Sequence, residues 1–169
     1  MTLQGLIPAL ARASSFQKAL GYASRDADFS ATDGLRAPLL ASLVEARREK
    51  GESAALFAIT PTGRESEALR AALASLLPNA EIVEFPAWET LPHERLSPSA
   101  EIVGKRIHAL RRMRTWNGVD PLIVTASVRA ALQPIADNLT DVEPVVLTAG
   151  ARGEDLREIT RRLVELAYV

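Results

Sequence analysis

The chain contains no cysteine, and this absence excludes several kinds of site. It can have no disulfide bond, no zinc–thiolate centre and no cysteine nucleophile. Histidine is almost as scarce, with His93 and His108 as the two examples. His93 and Glu94 could form an acid–base pair, but no nucleophile or group of metal ligands accompanies them. We therefore expect no catalytic residue and no metal site in this chain.

Long apolar runs and an excess of one charge are also missing. The net charge is -1 and the pI is about 6.2, so no general basic field is available to hold nucleic acid. No apolar run approaches the length of a membrane span, and the first ten residues lack the basic start of a signal peptide. We therefore expect a cytoplasmic protein with no membrane partner.

What is present is an alternation of short apolar runs with segments of helical periodicity. The runs predict buried strands at three places: Ala54–Ile59, Glu81–Phe85 and Leu122–Thr125. The helical segments are Leu3–Leu10, Phe16–Ala23, Ala37–Lys50, Glu65–Leu77, Ser97–Arg114, Ser127–Leu132 and Glu154–Leu166. Strands that are apolar without alternation, and that alternate with helices, indicate an α/β fold with a parallel sheet flanked by helices.

Capping residues and prolines predict where several helices begin. Thr62 and Glu65 have the spacing of a capping box, and Ser127 is placed to cap the helix that follows it. Ser97 is predicted as an N-cap with Pro98 at the first helical position. Pro38 predicts a helix that starts near Ala37, since proline is tolerated in a first turn.

The sequence divides into three predicted parts. Residues 1–36 form an N-terminal helical segment, and residues 37–140 form the α/β domain. After a linker-like stretch, the strand candidate Val145–Thr148 and the helix Glu154–Leu166 make residues 141–169 the start of a small α+β domain. We expect the chain to be cut inside this second domain, which would then pack poorly or pair with another copy.

Arg106 breaks the apolar face of the helix that ends at Arg114. At about 100° per residue, Arg106 falls among apolar side chains such as Ile102 and Leu110. A buried guanidinium needs a partner, and Glu89 and Glu94 in the preceding loop are the nearest candidates. We expect Arg106 to hold this loop against the domain, and the alternative is an arginine that extends to solvent.

Two further features could bind a ligand or partner. Lys105, Arg111 and Arg112 share the polar face of the same helix and could contact a DNA backbone or a protein partner, although a solvated face is the simpler interpretation. A phosphate-binding loop would need glycines and Lys-Ser/Thr at a helix start. The corresponding stretch contains Thr32, Asp33, Gly34 and Arg36, without a lysine, and the Asp33 carboxylate would repel phosphate.

The segment FPAWETLPHERLSPSAEIVGKRIHAL, Phe85 to Leu110, resembles a block near the N-terminus of the bacterial transcription-repair coupling factor, Mfd. The residues that match as they stand are Trp88, Glu89, Thr90, Leu91, Pro92, Ser97 and Pro98, while His93 replaces the usual tyrosine. Asp120 to Pro134 resembles the strand and helix that follow in that family, and also a segment of the excision-repair protein UvrB.

The resemblance implies a UvrB-like module whose first part is a degenerate helicase-type α/β domain with a decayed phosphate loop. It implies a non-catalytic scaffold that helps recruit UvrA to a stalled RNA polymerase, with most of the UvrA surface lying beyond Val169. It places the ATP- and Mg²⁺-dependent motor that moves on double-stranded DNA elsewhere in the full-length protein. The alternative is a helicase-superfamily domain with residual affinity for nucleotide or DNA.

Overall fold

The computed structural model describes residues 3, 5–22, 24–90, 97–135, 145–150 and 155–165. The chain divides into two compact units, residues 1–135 and residues 136–169. The helices and strands of the first unit are α1 (Leu6–Leu10), α2 (Ser14–Leu20), α3 (Asp33–Glu49), β1 (Ala55–Thr60), α4 (Gly63–Leu76), β2 (Glu81–Phe85), α5 (Ala100–Arg114), β3 (Leu122–Ser127) and α6 (Val128–Leu132). The second unit contains α7 (Leu156–Glu165).

The three strands form a parallel sheet in the order β1-β3-β2. Ala55 of β1 and Glu81 of β2 both lie opposite Leu122 of β3, so the last strand in sequence is the central one. All six residues of β3 are buried, as expected for a strand with a neighbour on each side. The predicted α/β fold with a parallel sheet and flanking helices is confirmed.

The larger apolar core lies between the sheet and the helices α3 and α4. Leu73 of α4, Ala41 of α3 and Ile123 of β3 are fully buried there. The start of α4 follows from its capping box, in which Thr62 Oγ1 accepts from the Glu65 amide at 3.2 Å and Glu65 Oε2 accepts from the Thr62 amide at 3.1 Å. The predicted capping box is therefore confirmed.

A second core forms where α5 packs on the opposite face of the sheet. Its buried members are Val83, Phe85, Ala109, Leu122, Val124, Ala126 and Ala130. Ala109 has no exposed surface, and Leu110 and Met113 pack beside it, as the predicted apolar face of this helix requires. The helix α6 starts as predicted, because Ser127 Oγ accepts from the Ala130 amide at 3.1 Å.

The first strand differs from its prediction because one face of β1 is exposed. Phe57 and Ile59 are 47% and 52% exposed, although the apolar run had predicted a buried strand. They lie opposite Val124 and Ala126 of β3, which belong to the second core, but they are not members of that core. The helix α5, which covers this face of the sheet, packs on β2, the other edge strand. Burial on both faces therefore holds for β3 and does not hold for β1.

Several helices start at other residues than predicted, and for α3 and α5 the difference concerns a predicted proline or N-cap. The helix α3 begins at Asp33, not near Ala37, so Pro38 lies inside it. Pro38 is the sixth residue of α3, beyond the first turn in which proline is readily tolerated, so it removes one hydrogen bond within the helix. The helix α5 is capped by Ser99, not by Ser97, because Ser99 Oγ accepts from the Ile102 amide at 3.4 Å. Pro98 therefore precedes the N-cap and is not the first helical residue.

The second unit shows one helix, α7, at the place where the sequence predicts an amphipathic helix. The strand predicted at Val145–Thr148 is not formed, and these residues have no regular secondary structure. They lack a partner strand among the described residues, and a lone strand has nothing to which its backbone can bond. The linker predicted at 141–144 lies outside the described residues, and the predicted domain limits stay predictions.

Candidate functional site

Arg106 is the most deeply buried charged side chain of the described residues, with 1% of its surface exposed. It projects from α5 towards the end of β2, where the chain leaves the sheet. Its guanidinium carbon lies 4.1 Å from the centre of the Phe85 ring and 4.4 Å from the centre of the Trp88 ring. Both distances are within the range of cation–π attraction. The guanidinium is therefore held between two aromatic rings, and we call Phe85, Pro86, Trp88 and Arg106 the arginine clamp.

Among the described residues, the Arg106 guanidinium makes one hydrogen bond, and its other donor nitrogens make none. Arg106 Nη1 donates to the Pro86 carbonyl at 2.7 Å. Neither Nε nor Nη2 has an acceptor among the described residues. Burial lowers the pKa of the Arg106 guanidinium from its usual value, since desolvation disfavours the charged form. An arginine nevertheless stays protonated in proteins, so the domain carries a buried positive charge here.

The predicted burial of Arg106 and its contact with the loop are confirmed, but one predicted partner is wrong. Glu89 Oε2 accepts from the Ser99 amide at 3.1 Å and does not pair with Arg106. This carboxylate extends the cap of α5, because an acidic group at a helix N-terminus is favourable. The other predicted partner, Glu94, lies outside the described residues, as do Leu91 and Pro92 of the family motif.

Gln133 is a member of this site that the sequence did not reveal. Its side-chain Oε1 accepts from the Trp88 amide at 2.7 Å, which fixes the loop to the residue that ends α6. No local pattern around Gln133 marks it, since its partner is 45 residues away in sequence. Together with the Ser99–Glu89 bond, this contact connects the loop to the start of α5 and to the end of α6.

The polar face of α5 is largely compensated by carboxylates. Lys105 Nζ lies 2.8 Å from Glu101 and 3.9 Å from Glu84. These neighbours raise the pKa of Lys105, first through the hydrogen bond that its ammonium group donates to the Glu101 carboxylate. Because the positive charge of Lys105 is already paired, its affinity for a DNA phosphate would be reduced.

Arg112 has a similar environment at the other end of the face. It forms a two-pronged ion pair with Glu81, and the hydrogen bond lowers the pKa of Glu81 and raises the pKa of Arg112. His108 is exposed, and Arg111 is partly buried. A role of Lys105, Arg111 and Arg112 in DNA or partner binding stays a prediction, and the ion pairs weigh against the DNA role.

The stretch predicted as a decayed phosphate loop lies at the start of α3. Thr32 precedes the helix without making a side-chain cap, and Gly34 lies in the first turn. Asp33 and Arg36 form an exposed ion pair at 3.0 Å. Asp33 and Arg36 also line a groove of about 800 Å³ beside β1, whose walls include Phe57 and Leu40. We call this the β1 groove, and its lining is mainly apolar.

Other kinds of site have little support in the described part of the chain. Nowhere in it do three or more histidine or acidic side chains gather in a way that could hold a metal ion. Among its helices, none combines the length and the apolar character that crossing a membrane requires.

About two thirds of the chain is similar to known proteins. No protein-family model matches the chain. The transcription-repair-coupling factors of Mycobacterium bovis and Mycobacterium tuberculosis are each 44% identical to it over 117 residues. The chain contains a region related to transcription-repair coupling factors. The matched stretch makes up 67% of this chain and 9% of each coupling factor, so the chain corresponds to a small part of those proteins.

Proposed function

We propose that the chain is part of a transcription-repair coupling factor and serves there as a non-catalytic, UvrB-like scaffold. In this role it would help recruit UvrA and nucleotide excision repair to a stalled RNA polymerase in the cytoplasm. The observation that carries the proposal is the 44% identity to two coupling factors over 117 residues. The ATP- and Mg²⁺-dependent motor that moves along double-stranded DNA would belong to other domains of the full-length protein.

The start of α3 supports a scaffold rather than an enzyme. A working phosphate loop presents glycine amides and a lysine to the phosphate groups. Here Asp33 places a carboxylate in the first turn of the helix, and the nearest cation, Arg36, is paired with it. A phosphate group at this position would meet the negative charge of Asp33 and would have to compete for Arg36.

The proposal is tested by measuring UvrA binding with calorimetry. The chain is compared with a version extended through the remainder of the second predicted domain. We expect the extended version to bind and the present chain to bind weakly or not at all. Binding by the short chain would place part of the UvrA surface within residues 1–135. Binding by neither version would contradict the proposed partner.

A second function, residual nucleotide binding, is favoured by the size of the β1 groove. A groove of about 800 Å³ next to a helix start is large enough for a nucleotide. Thermal unfolding in the presence of millimolar Mg-ATP tests this function, because a ligand at 100 times its dissociation constant stabilises by about 2.7 kcal/mol. An unchanged unfolding temperature would reject it, and an increase would contradict the purely structural role.

A further inference from the structure

The arginine clamp combines favourable contacts with an unusual cost. One hydrogen bond to Pro86 and two aromatic contacts favour the buried position of Arg106. Against them stands the desolvation of a charged group whose Nε and Nη2 find no acceptor among the described residues. Unsatisfied donors on a buried cation are among the more expensive features of a protein interior. The clamp therefore combines contributions that oppose each other in the free energy of the closed position.

Among the described residues, the hydrogen bonds that hold the segment over Arg106 each involve a side chain. The segment runs from Pro86 to Thr90, immediately after β2, and belongs to no helix or strand. The Trp88 amide bonds to a side chain, that of Gln133, and the Glu89 carboxylate bonds to the Ser99 amide in an exposed position. Such contacts can break without disturbing the sheet, whose backbone bonds end at Phe85.

We propose that the Pro86–Thr90 segment has a second, open conformation, in which Arg106 and the Trp88 ring contact solvent, and that the unsatisfied guanidinium keeps it close in free energy to the closed one. In the open conformation water satisfies Nε and Nη2, which compensates for the loss of the aromatic contacts. The open conformation exposes a cation on α5 and a large aromatic ring on the segment. A partner that binds these two groups would shift the population towards it. This inference depends on the clamp alone and not on the proposed function.

The test is native-state hydrogen exchange of the ¹⁵N-labelled chain, followed by NMR. The Trp88 amide reports opening, because exchange requires that its bond to Gln133 break. Val124, in the centre of the sheet, reports global unfolding. We expect Trp88 to exchange at least about 100-fold faster than Val124, at a rate that low concentrations of urea do not change. Exchange of the two amides at one common rate would overturn the proposal.

A substitution at Arg106 distinguishes this proposal from the alternative that the guanidinium simply stabilises the closed conformation. In Arg106→Met a flexible thioether fills the space between the two rings and no donor remains unsatisfied. We expect the Trp88 amide of this variant to exchange about two- to tenfold more slowly than in the wild-type chain. The matched control is Arg112→Met on the same helix, which removes a partly exposed ion pair and should leave Trp88 exchange unchanged. Unchanged or faster Trp88 exchange in Arg106→Met would show that the guanidinium does not favour the open conformation and would refute the proposal.

Discussion

Replacing Thr125 by valine should stabilise the protein, although the substitution removes a polar group from the centre of the sheet. Thr125 has no exposed surface, and its Oγ1 has no hydrogen-bond partner among the described residues. A buried hydroxyl without a partner costs about 1–3 kcal/mol. Valine has nearly the same shape and favours strands, and its extra methyl group contributes roughly 0.8 kcal/mol on burial. We therefore expect the free energy of unfolding to rise by about 1–2 kcal/mol.

Urea unfolding followed by circular dichroism measures this change as a higher midpoint with an unchanged slope. The matched control is Ser127→Ala, two residues further along the same strand. Ser127 is also buried, but its Oγ accepts from the Ala130 amide, so its loss should cost about 1 kcal/mol. The two variants should shift the midpoint in opposite directions. A loss of about 1 kcal/mol or more in Thr125→Val would mean that the hydroxyl is satisfied, for example by a buried water molecule, and the reasoning would fail.

Four other substitutions test further parts of the structure by the same unfolding measurement. Ser99→Ala should lower the free energy of unfolding by about 1 kcal/mol, and Ser97→Ala should lower it by less than about 0.5 kcal/mol. The reverse order would show that Ser97 is the N-cap. Leu73→Ala should cost about 2–5 kcal/mol because the side chain is fully buried, and a loss below about 1 kcal/mol would contradict its place in the core. Arg112 lowers the pKa of Glu81 below its ordinary value of 4.5, so their pair stabilises the protein above that pH and the contribution is lost as the pH falls through the lowered value. Both side chains are 38% exposed, so this contribution is below about 1 kcal/mol. Arg112→Gln should remove it. An identical pH dependence of the free energy of unfolding in the variant and the wild-type chain would count against the pair.

Features that depend on a few neighbouring residues were predicted well. The bounds of β2, the capping box of Thr62 and Glu65, and the cap at Ser127 all follow from local backbone chemistry. The burial of Arg106 also followed from the helical period alone. In each case the deciding interaction lies within one or two helical turns or within a single strand.

Features that depend on distant residues were predicted less well. The exposure of β1 depends on which part of the sheet α5 covers, and the sequence of β1 does not contain that information. The hydrogen bond between the Trp88 amide and Gln133 joins residues that are far apart in sequence. The bond between Glu89 and the Ser99 amide was also missed, because nothing in the local sequence distinguishes Ser99 from Ser97 as the N-cap. The predicted start of α3 near Ala37 was wrong for another reason. Proline is usually found in the first turn of a helix, but Pro38 lies further inside α3.

The central position of β3 determines when the sheet can form during synthesis. Neither β1 nor β2 pairs with the other, so both wait for Leu122–Ser127 to leave the ribosome. At roughly 5–20 residues per second, the interval between the completion of β2 and that of β3 lasts several seconds. Before that moment helices such as α3 and α4 can form, because their hydrogen bonds are local. The growing chain therefore carries two apolar strands without partners, and its first unit folds late and in one cooperative step.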